Sequence, residues 1–323
     1  MARQTLDQKL SALRVLDVST PKAAETLRDA LRSSSGLLIA AAAKLVAENR
    51  IDALADELPD AFERLLEDPA KRDPGCRGKL AIARALADLD RWEERVFVPG
   101  LCHIQLEGWG GPDGDPPDDT AAELRGVCGM IHAQFLRIDA LDVLATLLTD
   151  DRRTTRIAAA RGLGASRPDA SALLRFKILT GDPDPDVIAA CIESLLGLAR
   201  ESSLEFVLGL LDPHDDVSEL VVLSLGGARV VEAFEPIVAW CMGATPAQRH
   251  DVAYIALALL RDDRANEYLL EAIRSHAKAS AIAAARALAT FKHDPNLVEQ
   301  IRAAVGARKP DATVTREIDR LLE

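Results

Sequence analysis

The chain has few aromatic residues. Seven Phe, three Trp and two Tyr make up 4% of its 323 positions. Six His, five Cys and three Met are spread as thinly. A β-rich core draws on aromatic and β-branched residues in period-two alternation, and no such run occurs. Five cysteines in a chain of this length form neither a disulfide framework nor a standard zinc spacing. Apolar runs such as LLIAAAA at 37–43 are too short to span a bilayer. The first residues, MARQTLDQKL, contain no apolar signal core. Positive charge is in deficit: 39 Lys and Arg stand against 51 Asp and Glu, a formal net charge of −12. Phosphate contacts need an electropositive face, so nucleic acid is a poor partner for the chain as a whole. No GxSxG, Walker or HExxH motif is present, which leaves nucleophilic and phosphoryl chemistry without support. These absences lead to the expectation of a protein without membrane association, in a reducing, cytoplasmic setting.

What fills the chain is Ala, Leu, Arg, Glu and Asp in helical periodicity, and the fold class read from them is all-α. The pattern repeats. An apolar helix is followed by an Asp/Pro turn and a second helix whose core reads small–small–spacer–small–Leu. Copies begin at Ile82, Val127, Ala159, Cys191, Val221, Ile255 and Ala284, with a weaker one at Ala41. From Ile82 onward the intervals are 45, 32, 32, 30, 34 and 29 residues. A period near 32 is two short helices and two turns. Each pair carries apolar surface on two sides and buries both only by stacking on its neighbours. GDPDPDV at 181–187 and LDPHDDV at 211–217 place Asp and Pro where a second helix starts. Ser19-Thr20-Pro21 marks an early helix start, and TVTREIDRLLE is a charged amphipathic helix at the C-terminal end.

The repeats resemble the HEAT family in its short form, similar to the repeats of phycobilisome lyases. The resemblance covers most of the chain from about residue 20. It implies one α-solenoid domain over 1–323, a right-handed superhelix of about eight to nine helix pairs. Members of such families are mostly interaction scaffolds, and the implied partner is a protein or peptide held on the concave face, with no cofactor.

The interval of 45 holds about 13 surplus residues over the period of 32. They fall in GLCHIQLEGWGGPDGDPPDDT, residues 100–120, where Gly and Pro forbid continuous helix. The insertion spans about 106–119, between the two helices of one pair. Thr120 with Glu123 has capping-box spacing for the helix that follows. Gln105-x-Glu107, Trp109-Gly110 and Leu124-Arg125-Gly126-x-Cys128 also resemble a segment of certain bacterial HEAT-repeat proteins, a resemblance that brings no activity with it.

This stretch supplies the candidate sites. Gln105, Glu107, Trp109 and Arg125 are candidate binding residues. His103 and Glu107, beside Trp109 and Asp113, are an acid–base alternative in which the chain handles a substrate or chromophore as phycobilin lyases do. The plainer alternative has Trp109 anchoring the loop, Gln105 and Glu107 satisfying backbone amides, and Arg125 paired with Glu107. Cys102 and His103 before the loop, with Cys128 and His132 one turn apart after it, are an alternative zinc set. Asp113, Asp115, Asp118 and Asp119 form an acidic run without a complete calcium-loop pattern. Finally, the spacer of each second helix should point outward. That column reads Arg84, Gly129, Arg161, Glu193, Leu223, Leu257 and Arg286. It is no basic stripe. Leu223 and Leu257 would form an exposed apolar patch flanked by Arg161, Glu193 and Arg286, a binding surface for a partner, unless the solenoid twist buries them under the adjacent repeat.

Overall fold

The computed structural model describes residues 5–108, 117–212, 217–243 and 247–323. Among them the chain is helical throughout, apart from one two-residue antiparallel ladder. No helix of the described residues is long and apolar enough to cross a membrane. The chain divides into two compact units, Met1–Leu173 and Leu174–Glu323.

In the first unit α1 (Leu6–Arg14), α2 (Pro21–Leu31) and α3 (Gly36–Glu48) precede a short α4 (Asp52–Ala55), α5 (Leu58–Leu66) and a single turn α6 (Pro69–Arg72). Then come α7 (Arg77–Asp88), α8 (Glu94–Cys102), the strands β1 (Leu106–Glu107) and β2 (Asp118–Asp119), α9 (Ala122–Gln134), α10 (Ala140–Leu147) and α11 (Arg153–Gly164). Helices α3, α7, α9 and α11 pack against one another in succession, and α2, α5, α8 and α10 lie along them. Small residues set the spacing. A Cβ on Gly126 would meet the Ala158 Cβ at 2.6 Å, so α9 and α11 approach too closely for any side chain there.

In the second unit α12 (Ser171–Thr180), which begins just before the division, leads into α13 (Pro185–Leu208). That helix is bent at Ala199 (φ −148°, ψ 52°), so one helix passes into the next without a loop. The unit continues with α14 (Val217–Gly227), α15 (Phe234–Gly243), α16 (Ala247–Leu260), α17 (Asp263–Ser275), α18 (Lys278–Ala289), α19 (Pro295–Ala307) and α20 (Ala312–Leu322). Helices α13, α14, α16, α18 and α20 pack in succession.

The starts agree with the turn chemistry. Asp184 accepts from the Asp186 N–H with Pro185 next to it, Thr20 precedes Pro21 at the start of α2, and Asp311 accepts from Thr313 and Val314. Residues 213–216 of the second expected turn lie outside the described residues.

Burial corrects the register of three repeat copies. At Ile82, Ala159, Cys191, Val221 and Ala284 the first, second and fifth positions are buried and the third turns outward. The same profile begins at Ala42, Cys128 and Ala253, not at 41, 127 and 255. The starts 42, 82, 128, 159, 191, 221, 253 and 284 are then 40, 46, 31, 32, 30, 32 and 31 residues apart. Backbone geometry marks the same frame. Arg50, Asp90, Leu136, Arg229 and Arg261, each eight residues after a start, have φ between 47° and 56°. Each closes its helix in the left-handed conformation that ordinarily favours glycine. At Arg229 the cap is bonded as expected, with Arg229 N–H to Gly226 O and Val230 N–H to Leu225 O.

The corrected frame removes Leu257 from the exposed patch. It is fully buried, because it is the fifth-position leucine of its copy. Ile255 is the outward residue, at 42% exposure. The outward column is therefore Lys44, Arg84, Met130, Arg161, Glu193, Leu223, Ile255 and Arg286. Gly129 is buried, with Leu147 against it.

Leu136 offers a clean test of the cap. It is 77% exposed, so it has little packing to lose. A left-handed L-residue is strained by about 1–2 kcal/mol, partly offset by glycine's extra unfolded-state entropy of about 0.5–1 kcal/mol. Leu136→Gly should stabilise the fold by roughly 0.5–1 kcal/mol, read as a higher urea midpoint with an unchanged slope. A lower midpoint would mean that Leu136 is not held left-handed.

Candidate functional site

The insertion is gripped at its base by a connected polar network, and most of the grip comes from outside the loop. It begins at Asp73. Cys76, the residue before α7, is itself left-handed and supplies no side-chain cap. Asp73 does so from further upstream. Its Oδ1 accepts from the Gly78 N–H at 2.6 Å, and its Oδ2 from the Lys79 N–H at 3.0 Å. A carboxylate also suits the positive end of the helix. The same Oδ2 pairs with Lys79 Nζ at 2.9 Å, both side chains being fully buried. Gly36 makes room: a Cβ there would stand 2.1 Å from Asp73 Oδ1.

Gln105 reaches this knot from the loop. Its Nε2 donates to the Asp73 backbone carbonyl at 2.8 Å and to Glu107, and its Oε1 meets His103 Nε2 at 3.2 Å. An acceptor at that distance places the His103 proton on Nε2. Glu107 lies across the turn before α7. It accepts from the Gly75 N–H at 2.9 Å and from the Thr120 hydroxyl at 2.9 Å. Alternation along β1 turns Gln105 and Glu107 inward and leaves Leu106 56% exposed, with Ile104 63% exposed beside it.

The second strand is held by charge. Asp119 Oδ1 accepts from the Gln105 and Ala121 N–H groups, each at 3.1 Å. Its Oδ2 pairs with Arg125 at 2.7 Å. Arg125 also grips Asp150 with two parallel bonds of 2.7 and 2.9 Å and donates to the His103 carbonyl at 2.8 Å. Asp150 in turn accepts from the Arg152 N–H. The ladder is completed by Leu106 opposite Asp119 and Glu107 opposite Asp118.

Titration follows from these contacts. Burial alone pushes Glu107 upward, but the bonds from Gln105, Gly75 and Thr120 and the charge of Lys79 outweigh it and hold its carboxyl below the usual range. Asp119 and Asp150 show the same balance, with burial overcome by backbone amides and Arg125. Burial lowers His103, and Lys79 adds to the effect against its bond to Gln105. The cluster is a neutral imidazole among ionised, internally bonded carboxylates.

The network brings together Gln105, Glu107, Arg125 and His103, as the sequence grouped them, with one correction. Arg125 pairs with Asp119 and Asp150, not with Glu107. The capping box is also absent: the Thr120 hydroxyl serves Glu107 and the Gln105 carbonyl, while Glu123 pairs with Arg84. Trp109, Asp113 and Asp115 lie outside the described residues. Helix α8 runs through Pro99 to Cys102 instead of breaking there.

The zinc set does not assemble: among the described residues no group of His, Cys, Asp and Glu could hold a metal. Cys102 is exposed, and Cys128 is buried where a Cβ on Gly100 would meet its Sγ at 2.4 Å. Burial raises the Cys128 thiol, and pushes that of nearby Cys76 up to about 12. His132 occupies the fifth-position slot that most copies give to Leu. It is 3% exposed, 5.0 Å edge-on from Trp92, with Nε2 2.8 Å from Asp139.

Asp73 and Lys79 were missed by sequence reasoning. The signal was DPGC at 73–76, an Asp-Pro-Gly turn just ahead of a copy, with a lysine at a position where the helix is buried.

Two outcomes test the network. Lys79→Met leaves Asp73 buried without its counter-charge and should destabilise the fold by about 3–5 kcal/mol; a loss under about 1 kcal/mol would remove the pair from its central place. The depressed carboxylates contribute stability that is present above their unfolded values, about 3.9–4.3, and is lost as pH falls through the lower folded values. Unfolding free energy should therefore drop below about pH 4, and Glu107→Gln should flatten that drop. An unchanged acid slope in Glu107→Gln would mean that the carboxylate is not held ionised.

Comparison with protein-family models gives no match, and comparison with curated proteins gives none either.

Proposed function

We propose that the chain is a non-enzymatic interaction scaffold, a HEAT-like α-solenoid that binds a protein or peptide. Three features support the solenoid: the recurring burial profile, the successive packing of the second helices within each unit, and the left-handed caps in the same frame. The observation that carries the functional reading is the division of labour at the loop base. The inward side chains Gln105, Glu107, Asp119 and Arg125 are engaged in holding backbone and one another. The outward ones, Ile104 and Leu106, are apolar, exposed and mounted on that stiff base. An apolar pair on a bonded backbone binds a partner with little further loss of backbone entropy. The loop at about 106–119 would add specificity, and the charge of −12 favours partners of basic character.

The test is affinity purification from the native host with the intact chain and with Ile104→Asp/Leu106→Asp. Both side chains are mostly exposed, so thermal stability should stay within about 1 kcal/mol. At least one partner should fall tenfold or more in recovery. Identical partner lists with an unchanged thermal midpoint would sink the role assigned to this surface.

A further inference from the structure

The ladder at the loop base has one edge in use and one free. Its register sets Leu106 opposite Asp119 and Glu107 opposite Asp118, and the Thr120 N–H donates to the Gln105 carbonyl at 2.9 Å. Bonded and non-bonded positions alternate along an antiparallel pair. Gln105 and Glu107 therefore turn their backbone groups toward β2, and Leu106 between them turns its N–H and C=O the other way. Burial alternates with the same period from His103 to Gly108, so Ile104 is in phase with Leu106. Among the described residues no donor or acceptor reaches the backbone of Ile104 or Leu106. The outer edge thus offers two N–H and two C=O groups, in pairs about 7 Å apart along the strand at about 3.4 Å per residue. The edge is also stiff, because the Gln105 and Glu107 side chains tie it to the Asp73 carbonyl and the Gly75 N–H. Apart from its shortness, it lacks the lysine, proline or bulge with which proteins guard a free edge; its exposed side chains are Ile104 and Leu106.

We infer that this edge takes an extended segment of another protein as a third strand, with apolar side chains at alternate positions beside Ile104 and Leu106. The proposal rests on the scaffold reading and gives that surface its mode of binding. Main-chain chemistry commits the occupant. N–H and C=O groups spaced along one edge are matched by extended backbone, whereas a helix spends its own groups internally. Bonding supplies the affinity, and the alternate side chains, about 4.5–5.5 Å from their cross-strand neighbours, supply the selectivity. A core of about five residues covers Ile104 to Leu106 with one residue to spare at each end. A second copy of the chain is a poor occupant, since pairing edge to edge would bring together two molecules of net charge −12. The ordered backbone of β1 keeps the entropic cost of adding the strand mostly on the partner's side.

The experiment selects random 12-residue peptides displayed on phage against the full chain, with counter-selection on Ile104→Asp/Leu106→Asp. Enriched peptides should carry apolar residues at i and i+2. One of them, fluorescein-labelled, is then N-methylated at each residue in turn, and its affinity for the full chain is read by fluorescence anisotropy. Methylation should weaken binding tenfold or more at alternate positions and less than threefold at those between. Leu106→Pro removes an N–H that the fold does not use, a change edge strands accept, and should weaken the peptide tenfold or more. Leu106→Val keeps the N–H and an apolar side chain and should stay within threefold of the parent. If Leu106→Pro lowers the thermal midpoint, the methyl scan on the parent chain decides alone. No enrichment, apolar residues at helical spacing, a methyl scan without alternation, or a dimer of the chain that Leu106→Pro dissociates in sedimentation velocity overturns the inference. Affinity purification separates the two readings. Partners lost with Ile104→Asp/Leu106→Asp but retained with Leu106→Pro remove the added strand and leave the scaffold reading standing; partners retained with both remove both.

Discussion

The buried pair of Asp73 and Lys79 organises the first unit. One carboxylate does three jobs: it caps α7, neutralises a lysine that no water reaches, and sits in the gap that Gly36 leaves on α3. A lone ion at such depth would be strongly unfavourable, and the pair is tolerated because the remaining acceptor sites of Asp73 are filled by amides. The backbone carbonyl of the same residue then receives Gln105, so the insertion is anchored to the residue that starts the neighbouring helix. Loop base, helix start and inter-helix gap share one fixed point.

From that point a second layer of charge extends outward. Arg125 joins β2, the end of α8 and the turn before α11 through Asp119, His103 and Asp150. Its planar fork matches the Asp150 carboxylate with two bonds, which fixes direction as well as distance. The result is that the side chains of His103, Glu107 and Asp119 are bonded within the network. These groups have depressed or engaged titrating atoms, because each serves another part of the backbone.

Much of this was legible in the sequence, and the errors have identifiable causes. The all-helical class, the insertion and the grouping of Gln105, Glu107 and Arg125 followed from Gly/Pro punctuation and from the period near 32. The register slipped at Ala41, Val127 and Ile255 because the residues around each of those starts are small or apolar. With small or apolar residues on both sides of each start, a shift of one or two residues leaves the pattern nearly unchanged. That slip put Leu257 outside when it belongs to the core. A better ruler was the helix end, yet Arg50, Asp90, Leu136, Arg229 and Arg261 give no hint of a left-handed cap, since the residue usually found there is glycine. The Arg125 partners were misassigned because Asp150 is 25 residues away and reaches the site only through the packing of α9 on α11. Lys79 was passed over because a lysine in a helix ordinarily reaches solvent.

The bend at Ala199 has an implication for how such a chain changes over time. Between most successive helices there is a turn whose length can change, and between α8 and α9 that connection runs from His103 to Ala121. At Ala199 the two helices are spliced end to end, and the change of direction depends on the dihedral angles of one residue. Adding or deleting a residue there would rotate everything downstream by about 100°, the angle per residue of an α-helix, and would turn buried faces outward. The tolerated variation in length is therefore unevenly distributed. A change of length is absorbed most easily in a turn between helices and least easily at a splice that has no slack.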